Sequence, residues 1–408
     1  MNVRRSAAAL AAIGVLAAAA PATAAGPSPS PKAAVPAGLF GKGDPTYDGV
    51  WRQSFALLAQ HMAGERPAAS AINWLVGQQC DNGAFPAFRA DPSKPCLGKD
   101  GAQPDVDATA AAIQALQALG EHDGEVHRAV YWLKGMQNDD GGFGFAVGQP
   151  SDTNHTADVI GALTVAGENV TALRSEGKTP LDALAKWSVP CSADGGGAFT
   201  YQPDKKGKLY ANPDATAAGV LGALGKGFVV EPGKARDKAP ACTATGKPTP
   251  ARLADNASAY LADALAENGH LMVSLAGVTM RQTDYANTAD AVVALAATGA
   301  TEQAKKPYAW LEKNAATWAE RTGPAAYAEL IFAAHAMGEN PRDFGGTDLV
   351  RALDATGPAP QTAKARHSEA KRSEHGSGVN VWWIVGVGLA VGIGIGFLLS
   401  GRRKRQQP

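Results

Sequence analysis

Between residues 44 and 356, apolar residues recur at i, i+3 and i+4, the spacing of one helix face. The pattern predicts twelve helices that pair into six hairpins, near residues 46–63, 68–79, 107–119, 126–137, 155–167, 180–188, 214–225, 252–267, 287–298, 306–319, 325–337 and 346–354. In each pair one helix is rich in Ala, Gly and Thr, while its partner carries bulkier residues such as Trp74, Tyr131 and Trp310. Because small side chains let helices approach closely, the first kind is expected in an inner ring and the second in an outer ring.

The helices are joined by a recurring motif. Residues 132–163 read as a helix end, a Gln, an acidic Gly-Gly-Phe turn, a polar loop and a helix opening near Thr156. Residues 74–116 and 187–224 repeat this order, and residues 284–295 carry a weaker copy. A helical unit of this size cannot bury its apolar face alone, so the copies must stack on each other. Residues 44–356 are therefore predicted to form one all-α domain.

These repeats share a Gln, an acidic Gly-Gly-Phe turn and an Asp/Thr helix start. In these features they resemble the repeats of the terpenoid-cyclase and protein-prenyltransferase superfamily, which includes the squalene cyclases. The resemblance implies an (α/α)6 toroid with a central cavity, lined by the starts of the inner helices and by aromatic residues on the turns. The same fold is used by cobalamin carriers and by complement thioester domains. The fold alone therefore does not fix the activity.

The two ends of the chain predict export. Residues 1–25 combine Arg4 and Arg5 with an apolar run and small residues, the pattern of a signal peptide. Residues 381–399 are uncharged, long enough to cross a membrane, and followed by a basic tail at 400–408. Flexible spacers are predicted at 26–43 and 357–380. The expected protein is anchored in the cell membrane by a single pass, with an extracytoplasmic N-terminal domain and a cytoplasmic tail.

Charge and cysteine content narrow the partners and the compartment. Lys and Arg number 38, as do Asp and Glu, so no nucleic-acid partner is expected. All four cysteines lie in the exported part, where an oxidising environment favours disulfides. Pairing of nearest neighbours would join Cys80 to Cys96 and Cys191 to Cys242, although two other connectivities remain open. A cysteine metal site is the alternative, but no CxxC spacing supports it.

Polar residues gather where the inner helices begin. When the copies are superposed on their shared threonine, the residue four places earlier is Asp or Asn in every copy, namely Asp105, Asp152, Asn212 and Asp284. The residue two places earlier is Asp107, Asn154, Asp214 and Ala286. One interpretation is helix capping, which explains why the pattern recurs. The other is a functional rim at one end of the ring.

Asp105-Val106-Asp107-Ala108 is the pair of carboxylates that stands out from this background. It is similar to the D-x-D-D motif of class II terpene cyclases, whose third residue protonates an alkene or epoxide. The resemblance makes Asp107 the candidate acid, with Ala108 in place of the fourth carboxylate.

Protein prenyltransferases suggest a second interpretation, because they hold a catalytic zinc through an Asp and a Cys at one inner helix and a His at the next. The matching positions are Asp105, Asp107 and His155, a candidate set for zinc or another divalent ion without the thiolate. The alternative for His155 is a hydrogen-bonded residue at a helix start.

Aromatic residues follow the acidic turns at Phe85, Phe88, Phe143, Phe145, Phe199 and Tyr201. The resemblance implies that most of them wedge between outer and inner helices. Four are also candidates for the wall of a ligand cavity, namely Phe143, Phe145, Phe199 and Tyr201.

The leading functional hypothesis is a surface-tethered protein that binds a bulky small-molecule ligand, cobalamin-like or isoprenoid. A membrane transporter or a separate lid protein is an expected partner, and a bound corrinoid or zinc an expected cofactor. The alternative is a cyclase or prenyltransferase-like enzyme, and the last is a scaffold for another surface protein. The sequence favours binding over catalysis because both catalytic motifs are incomplete.

Overall fold

The computed structural model describes residues 36–96, 101–244, 246, 248–275 and 278–361. The predicted signal peptide at 1–25, the transmembrane segment at 381–399 and the tail at 400–408 lie outside the described residues. In the part of the chain that is described, no helix is both long enough and apolar enough to cross a membrane.

Thirteen helices are present in these ranges. In chain order they are α1 (Gly49–Met62), α2 (Ala69–Gly77), α3 (Val106–Leu119), α4 (Asp123–Lys134), α5 (Thr153–Val165), α6 (Pro180–Lys186), α7 (Pro213–Leu224), α8 (Pro250–Ala266), α9 (Tyr285–Ala297), α10 (Thr301–Asn314), α11 (Ala316–Thr322), α12 (Pro324–Met337) and α13 (Leu349–Asp354).

Six of these helices form a closed inner ring. Each of α1, α3, α5, α7, α9 and α12 packs against the next, and α12 packs back against α1. The other helices lie outside, with α2 on α1, α4 on α3, α6 on α5 and α7, α8 on α7 and α9, and α10, α11 and α13 on α12. The inner helices are rich in buried alanine, which permits this close approach. The predicted α/α toroid is thus confirmed by the ring itself.

Hydrogen bonds join the two ends of the described chain and so close the ring. The backbone N–H of Gly41 donates to the carbonyl of Thr356 at 2.9 Å. The side chain of Gln60, at the end of α1, donates to Asp354 Oδ1 at 2.6 Å. The first and last hairpins are therefore held together directly, as a toroid requires and an open stack would not.

The prediction was wrong at one outer helix and incomplete in its strands. The segment expected to be helical at 306–319 forms α10 and α11, which meet at Ala315. No Gly or Pro marks that junction, so the apolar periodicity runs through it. The structure also contains two short antiparallel pairs, β1 (Phe85–Pro86) with β2 (Pro104–Asp105) and β3 (Leu271–Leu275) with β4 (Val278–Asp284).

Both disulfides link nearest neighbours in the sequence. Cys80 is joined to Cys96 with their Cα atoms 5.6 Å apart, and Cys191 to Cys242 at 5.7 Å. The first bridge lies within the connection from α2 to α3, whereas the second joins the connections on either side of α7. Long connections around the ring are thus tied down.

Each repeat begins its inner helix with the same polar contacts. The side chain four places before the shared threonine accepts a backbone N–H at the helix start, as Asp105, Asp152, Asn212 and Asp284 do. Capping is therefore the role of this position. The threonine then ties the helix to the preceding turn: the Oγ1 of Thr109, Thr156 and Thr216 accepts the N–H of Phe85, Phe143 and Phe199 at 2.9 to 3.0 Å.

Candidate functional site

A cavity of about 270 Å³ lies inside the ring, at the starts of the inner helices. All six inner helices contribute side chains to its lining. The repeat places these residues by register: the residue two places before the shared threonine faces the cavity in three copies, as Asp107, Asn154 and Asp214. The capping position therefore holds the helix, while the position two residues later faces the interior.

One wall of the cavity is aromatic. Trp51 and Phe55 come from α1, Phe332 comes from α12, and Phe228 comes from the loop that follows α7. The ring of Phe55 is central, with centroids 4.5 Å from Trp51, 4.8 Å from Phe228 and 5.4 Å from Phe332. These tilted and edge-on contacts form a packed apolar surface. Such a wall suits the hydrocarbon part of a ligand.

Acidic side chains line the same cavity. Five inner helices each present one carboxyl side chain to the cavity, namely Asp107, Asp158, Asp214, Asp290 and Glu329. His155 is the only basic side chain among the cavity-lining residues. A cavity with five acids and one base is electrostatically unbalanced unless some acids carry protons or a cation enters.

His155 links two carboxyl groups across the rim. Its Nδ1 lies 2.6 Å from Asp152 Oδ2, and its Nε2 lies 3.0 Å from Asp107 Oδ2. Burial by itself would lower the pKa of His155, but the hydrogen bonds and charges of Asp107 and Asp152 outweigh it and raise the pKa to about 11. The imidazole is therefore doubly protonated at neutral pH and donates to both carboxylates. Tyr201 completes the group, because its hydroxyl donates to Asp152 and burial raises its own pKa.

Three buried oxygen atoms on the cavity wall have no hydrogen-bond partner: Asp107 Oδ1, Asn154 Oδ1 and Glu329 Oε2. The Asn154 side-chain amide donates instead to Asp214 Oδ2 at 2.9 Å. Unpaired buried oxygens are uncommon in folded proteins, since each loses the hydrogen bonds it would make in water. All three belong to residues that line the same cavity.

The deeper carboxyl groups are held in their neutral form. Burial, reinforced by the charge of Asp107, raises the pKa of Asp158 well above its ordinary value. Burial together with Asp214 and Asp284 raises the pKa of Asp290 to about 8. Burial likewise raises the pKa of Asp214. Burial also raises the pKa of Glu329 well above its ordinary value, and the charge of Asp290 adds to that effect. At neutral pH the acidic wall therefore carries several protons.

The predicted metal set is only partly assembled. Asp107 and His155 meet, but Asp105 Oδ1 accepts the N–H of Ala108 at 2.7 Å and serves the helix start. Burial and the nearby Asp107 carboxylate raise the pKa of Asp105 to about 6. Within the described ranges no three His, Cys, Asp or Glu side chains converge as metal ligands. Two converging groups fall short of the three protein ligands that a catalytic zinc requires, so these residues do not fit a zinc site.

Of the four aromatic residues predicted for the cavity wall, the structure places Tyr201 there. Phe143 and Phe199 are fully buried behind their turns, where the shared threonines hold their backbones. Phe145 is half exposed, with its ring 6.2 Å from that of His155. The turn phenylalanines therefore pack between helices, as the packing interpretation expects.

The sequence reasoning missed the deeper acids and the whole aromatic wall. A signal for two of the acids was present: Asp158 and Asp290 both stand two places after the shared threonine, inside otherwise apolar helices, where the other copies have Ala111 and Ala218. A charged residue on the apolar face of an inner helix indicates a cavity or a buried pair. Glu329 offers the same signal, whereas nothing in the local sequence shows that Trp51 and Phe228 face each other.

Comparison with known proteins yields similarity of fold only. No protein-family model matches the chain, and no curated protein is matched by it. Among solved structures, an ent-copalyl diphosphate synthase from Streptomyces platensis is similar with 17% sequence identity and a TM-score of 0.46, over 71% of this chain and 51% of that one. A protein from Actinoplanes is similar with 15% identity and a TM-score of 0.48, over 74% of this chain and 92% of that one.

The chain spans about half the length of the copalyl diphosphate synthase. It has an α/α toroid, which the contacts of the six inner helices show.

Proposed function

We propose that the protein is an exported toroid that binds a small amphipathic ligand in its central cavity. The observation that carries this proposal is the cavity itself, which is lined by aromatic and acidic side chains and by three residues that each have a buried oxygen without a partner. Unpaired buried polar atoms cost stability, because they lose the hydrogen bonds that they make in water. Ligand-binding sites in proteins share this design of an apolar pocket with a few converging polar groups.

The proposed location outside the cell is supported by two features. The sequence predicts a signal peptide and a membrane anchor at its ends. The two disulfides tie down loops, as is typical of proteins that fold in an oxidising compartment. Labelling of intact cells with a membrane-impermeant reagent tests this location, and protection of the domain from the reagent would contradict it.

Cavity size favours an isoprenoid-sized ligand over a corrinoid. About 270 Å³ lies near the lower end of the range for drug-sized ligands, roughly 300 to 1,000 Å³. A corrinoid with its nucleotide tail is much larger than such ligands and would not enter this space without rearrangement of the inner helices. A corrinoid bound at the rim under a separate lid protein would need a different surface from the cavity described above.

Thermal unfolding of the full-length chain tests ligand binding. A short isoprenoid alcohol such as farnesol should stabilise the protein, by about 2.7 kcal/mol at one hundred times its Kd, whereas hydroxocobalamin should not. Ala218→Phe, which fills the cavity, should remove the stabilisation. Ala309→Phe is the matched control, because Ala309 is exposed on the outer helix α10. Failure of every apolar probe to shift the unfolding temperature would contradict the proposal.

Acid catalysis is the second candidate, favoured by the geometry of Asp107. Its Oδ2 accepts a hydrogen bond from the His155 imidazolium, and its Oδ1 is buried without a partner. Asp107 would first have to take up a proton; once it had passed that proton to an alkene, the imidazolium would stabilise the carboxylate left behind. The aromatic wall would then face the developing carbocation.

The two candidates separate in a single variant. Asp107→Asn should abolish turnover of a polyprenyl substrate, followed by mass spectrometry of the products, if the protein is an acid catalyst. A binding protein should show no turnover before the change, and its Asp107→Asn form should still be stabilised by the apolar probe. Turnover that survives in Asp107→Asn would exclude Asp107 as the acid.

A further inference from the structure

Among the residues that line the cavity, acidic side chains outnumber basic ones. Five carboxyl side chains from α3, α5, α7, α9 and α12 face it, and α1 adds only aromatic side chains. The single cavity-lining base, His155, is already held between Asp107 and Asp152. The other four acids, Asp158, Asp214, Asp290 and Glu329, have no cationic side chain among the residues that line the cavity.

The unpartnered atoms of the site are all oxygens. Asp107 Oδ1, Asn154 Oδ1 and Glu329 Oε2 are buried and have no hydrogen-bond partner, and their residues line the same cavity. A ligand that offers hydrogen bonds to oxygens must bring donors, and it brings most when it carries several N–H groups on a positive charge. The amide nitrogen of Asn154 already donates to Asp214 Oδ2 at 2.9 Å.

The aromatic wall is suited to the same kind of ligand. The rings of Trp51, Phe55 and Phe332 line the same cavity as the acids. The faces of aromatic rings attract cations, by about 0.5 to 2 kcal/mol according to how far the cation is desolvated. They also accept the apolar body of a ligand, so one wall serves both parts of an amphipathic cation.

A metal ion is a poorer occupant than an organic cation. Metal ions need several ligands that converge on one point, and within the described residues no three acidic, His or Cys side chains do so. The carboxyl groups instead come from five different helices around the ring. Acids distributed in this way can surround a larger, diffuse charge.

We propose that the ligand of the central cavity is an organic ammonium ion with an apolar body, held by the acids of α5, α7, α9 and α12 and covered by the aromatic wall. This rests on the proposed binding function and names the class of its ligand. The protons that keep the empty cavity neutral leave when the ammonium enters: one positive charge replaces another, and a proton passes from a carboxyl group to the buffer.

Three probes of the same shape test this charge requirement. Isothermal titration of the full-length chain with phenylbutylammonium, phenylbutanol and phenylbutyrate compares a cation, a neutral molecule and an anion. The ammonium should bind at least about ten times more tightly than the alcohol, and the carboxylate should not bind. Equal binding of alcohol and ammonium would overturn the inference while leaving the binding function intact. Absence of binding by all three would overturn both.

Variants locate the preference in the acidic wall. Asp290→Asn combined with Glu329→Gln should reduce the preference for ammonium over alcohol to less than about threefold, because two of the buried acids that face the ligand are lost. Asp263→Asn, on the exposed face of the outer helix α8, is the matched control and should preserve it. A preference that survives in the double variant would place the charge selectivity elsewhere and overturn the inference.

Proton release gives a readout that folding defects do not mimic. The heat of ammonium binding should differ between phosphate and Tris buffers, because a proton passes to the buffer when the ligand enters. The groups that can release it come from four helices of the ring, namely Asp158, Asp214, Asp290 and Glu329, while His155 stays protonated. Equal heats in the two buffers would show that no carboxyl group gives up a proton and would overturn the inference.

Discussion

Four inner helices begin in the same way, and two do not. Helices α3, α5, α7 and α9 each start with an Asp or Asn side chain that accepts a backbone N–H, followed by a threonine that ties the helix to the preceding segment. Helices α1 and α12, which meet where the ring closes, have no side-chain cap. The first group supplies most of the acids of the cavity, and the pair at the closure supplies three of the four aromatic rings.

The difference shows how a repeat becomes a site. In the regular copies the acids of the cavity stand at two positions, two residues before the shared threonine for Asp107 and Asp214 and two residues after it for Asp158 and Asp290. The helices at the closure depart from the repeat consensus and are free to carry bulky aromatics. A two-faced cavity therefore arises from the contrast between regular and irregular copies. The following predictions test that contrast, from the largest expected effect to the smallest.

Removal of His155 should have the largest effect. His155→Ala leaves the Asp152 and Asp107 carboxylates buried without their shared cation, at a cost of about 3 to 5 kcal/mol in the free energy of unfolding. Since the folded pKa of about 11 lies above the ordinary value of 6.5, the stabilisation is complete below pH 6.5 and is lost as the pH rises toward 11. Urea unfolding at several pH values measures both.

A histidine on α12 is the control for this prediction. His335 Nε2 lies 3.0 Å from Glu231 Oε1, the same separation as in the His155–Asp107 pair, but the carboxyl side chain is 83% exposed. His335→Ala should therefore cost less than about 1 kcal/mol. Equal losses in the two variants would show that the link between regular copies is no stronger than a surface contact.

Thr216→Val should rank second. The change removes the acceptor of the Phe199 N–H, which lies 3.0 Å away, and leaves that donor buried without a partner. The expected loss is about 1 to 3 kcal/mol in unfolding free energy. Ser54→Ala is the comparison in the irregular pair, because Ser54 Oγ donates only to Val50 within its own helix. A larger loss for Ser54→Ala would mean that the threonine ties are not what holds the repeats.

Asp290→Asn should stabilise the unliganded protein, and only toward alkaline pH. The folded pKa of Asp290, about 8, lies above its ordinary value of 3.8, so folding of the native protein is disfavoured progressively as the pH rises between these values. Asparagine has no carboxyl group to ionise, so we expect the free energy of unfolding of the variant to be higher by roughly 1 to 3 kcal/mol at pH 8.5, with little change at pH 4. Thermal unfolding across this range decides, and a gain independent of pH would contradict the explanation.

The smallest effect is expected at a helix cap. Asn212→Ala loses the bond from Asn212 Oδ1 to the Ala215 N–H and should cost about 1 kcal/mol. Asn212→Ser keeps a capping oxygen and should restore most of the loss in chemical unfolding. If both variants unfold like the parent protein, the caps of the regular copies contribute little, and packing alone sets their register.

Much of this organisation could be predicted from residues close together in the chain. The periodicity located the inner and outer helices, and the Asp or Asn before each threonine indicated the caps that the structure shows. The pairing of Cys80 with Cys96 and of Cys191 with Cys242 was expected from nearness in sequence, and the structure shows it. The break at Ala315 and the β3–β4 hairpin were missed because neither carries a breaker or a clear alternation.

The candidate site was predicted less well. Asp107, His155 and Tyr201 were named and lie on the cavity, but Phe143 and Phe199 pack behind the turns. The acids Asp158, Asp290 and Glu329 come from three helices far apart in the sequence. Their burial, together with the charges of neighbouring acids, raises their pKa values, and both effects exist only once the ring has formed.

The sequence by itself determined the helical repeat, because helix periodicity, caps and turn residues act over a few residues and need no distant partner. The tertiary structure alone decided which side chains share the cavity, since closure of α12 onto α1 brings Phe332 beside Phe55 and completes the aromatic wall. Charge and burial are properties of that enclosed space. No single repeat contains them, and so no single repeat could reveal them.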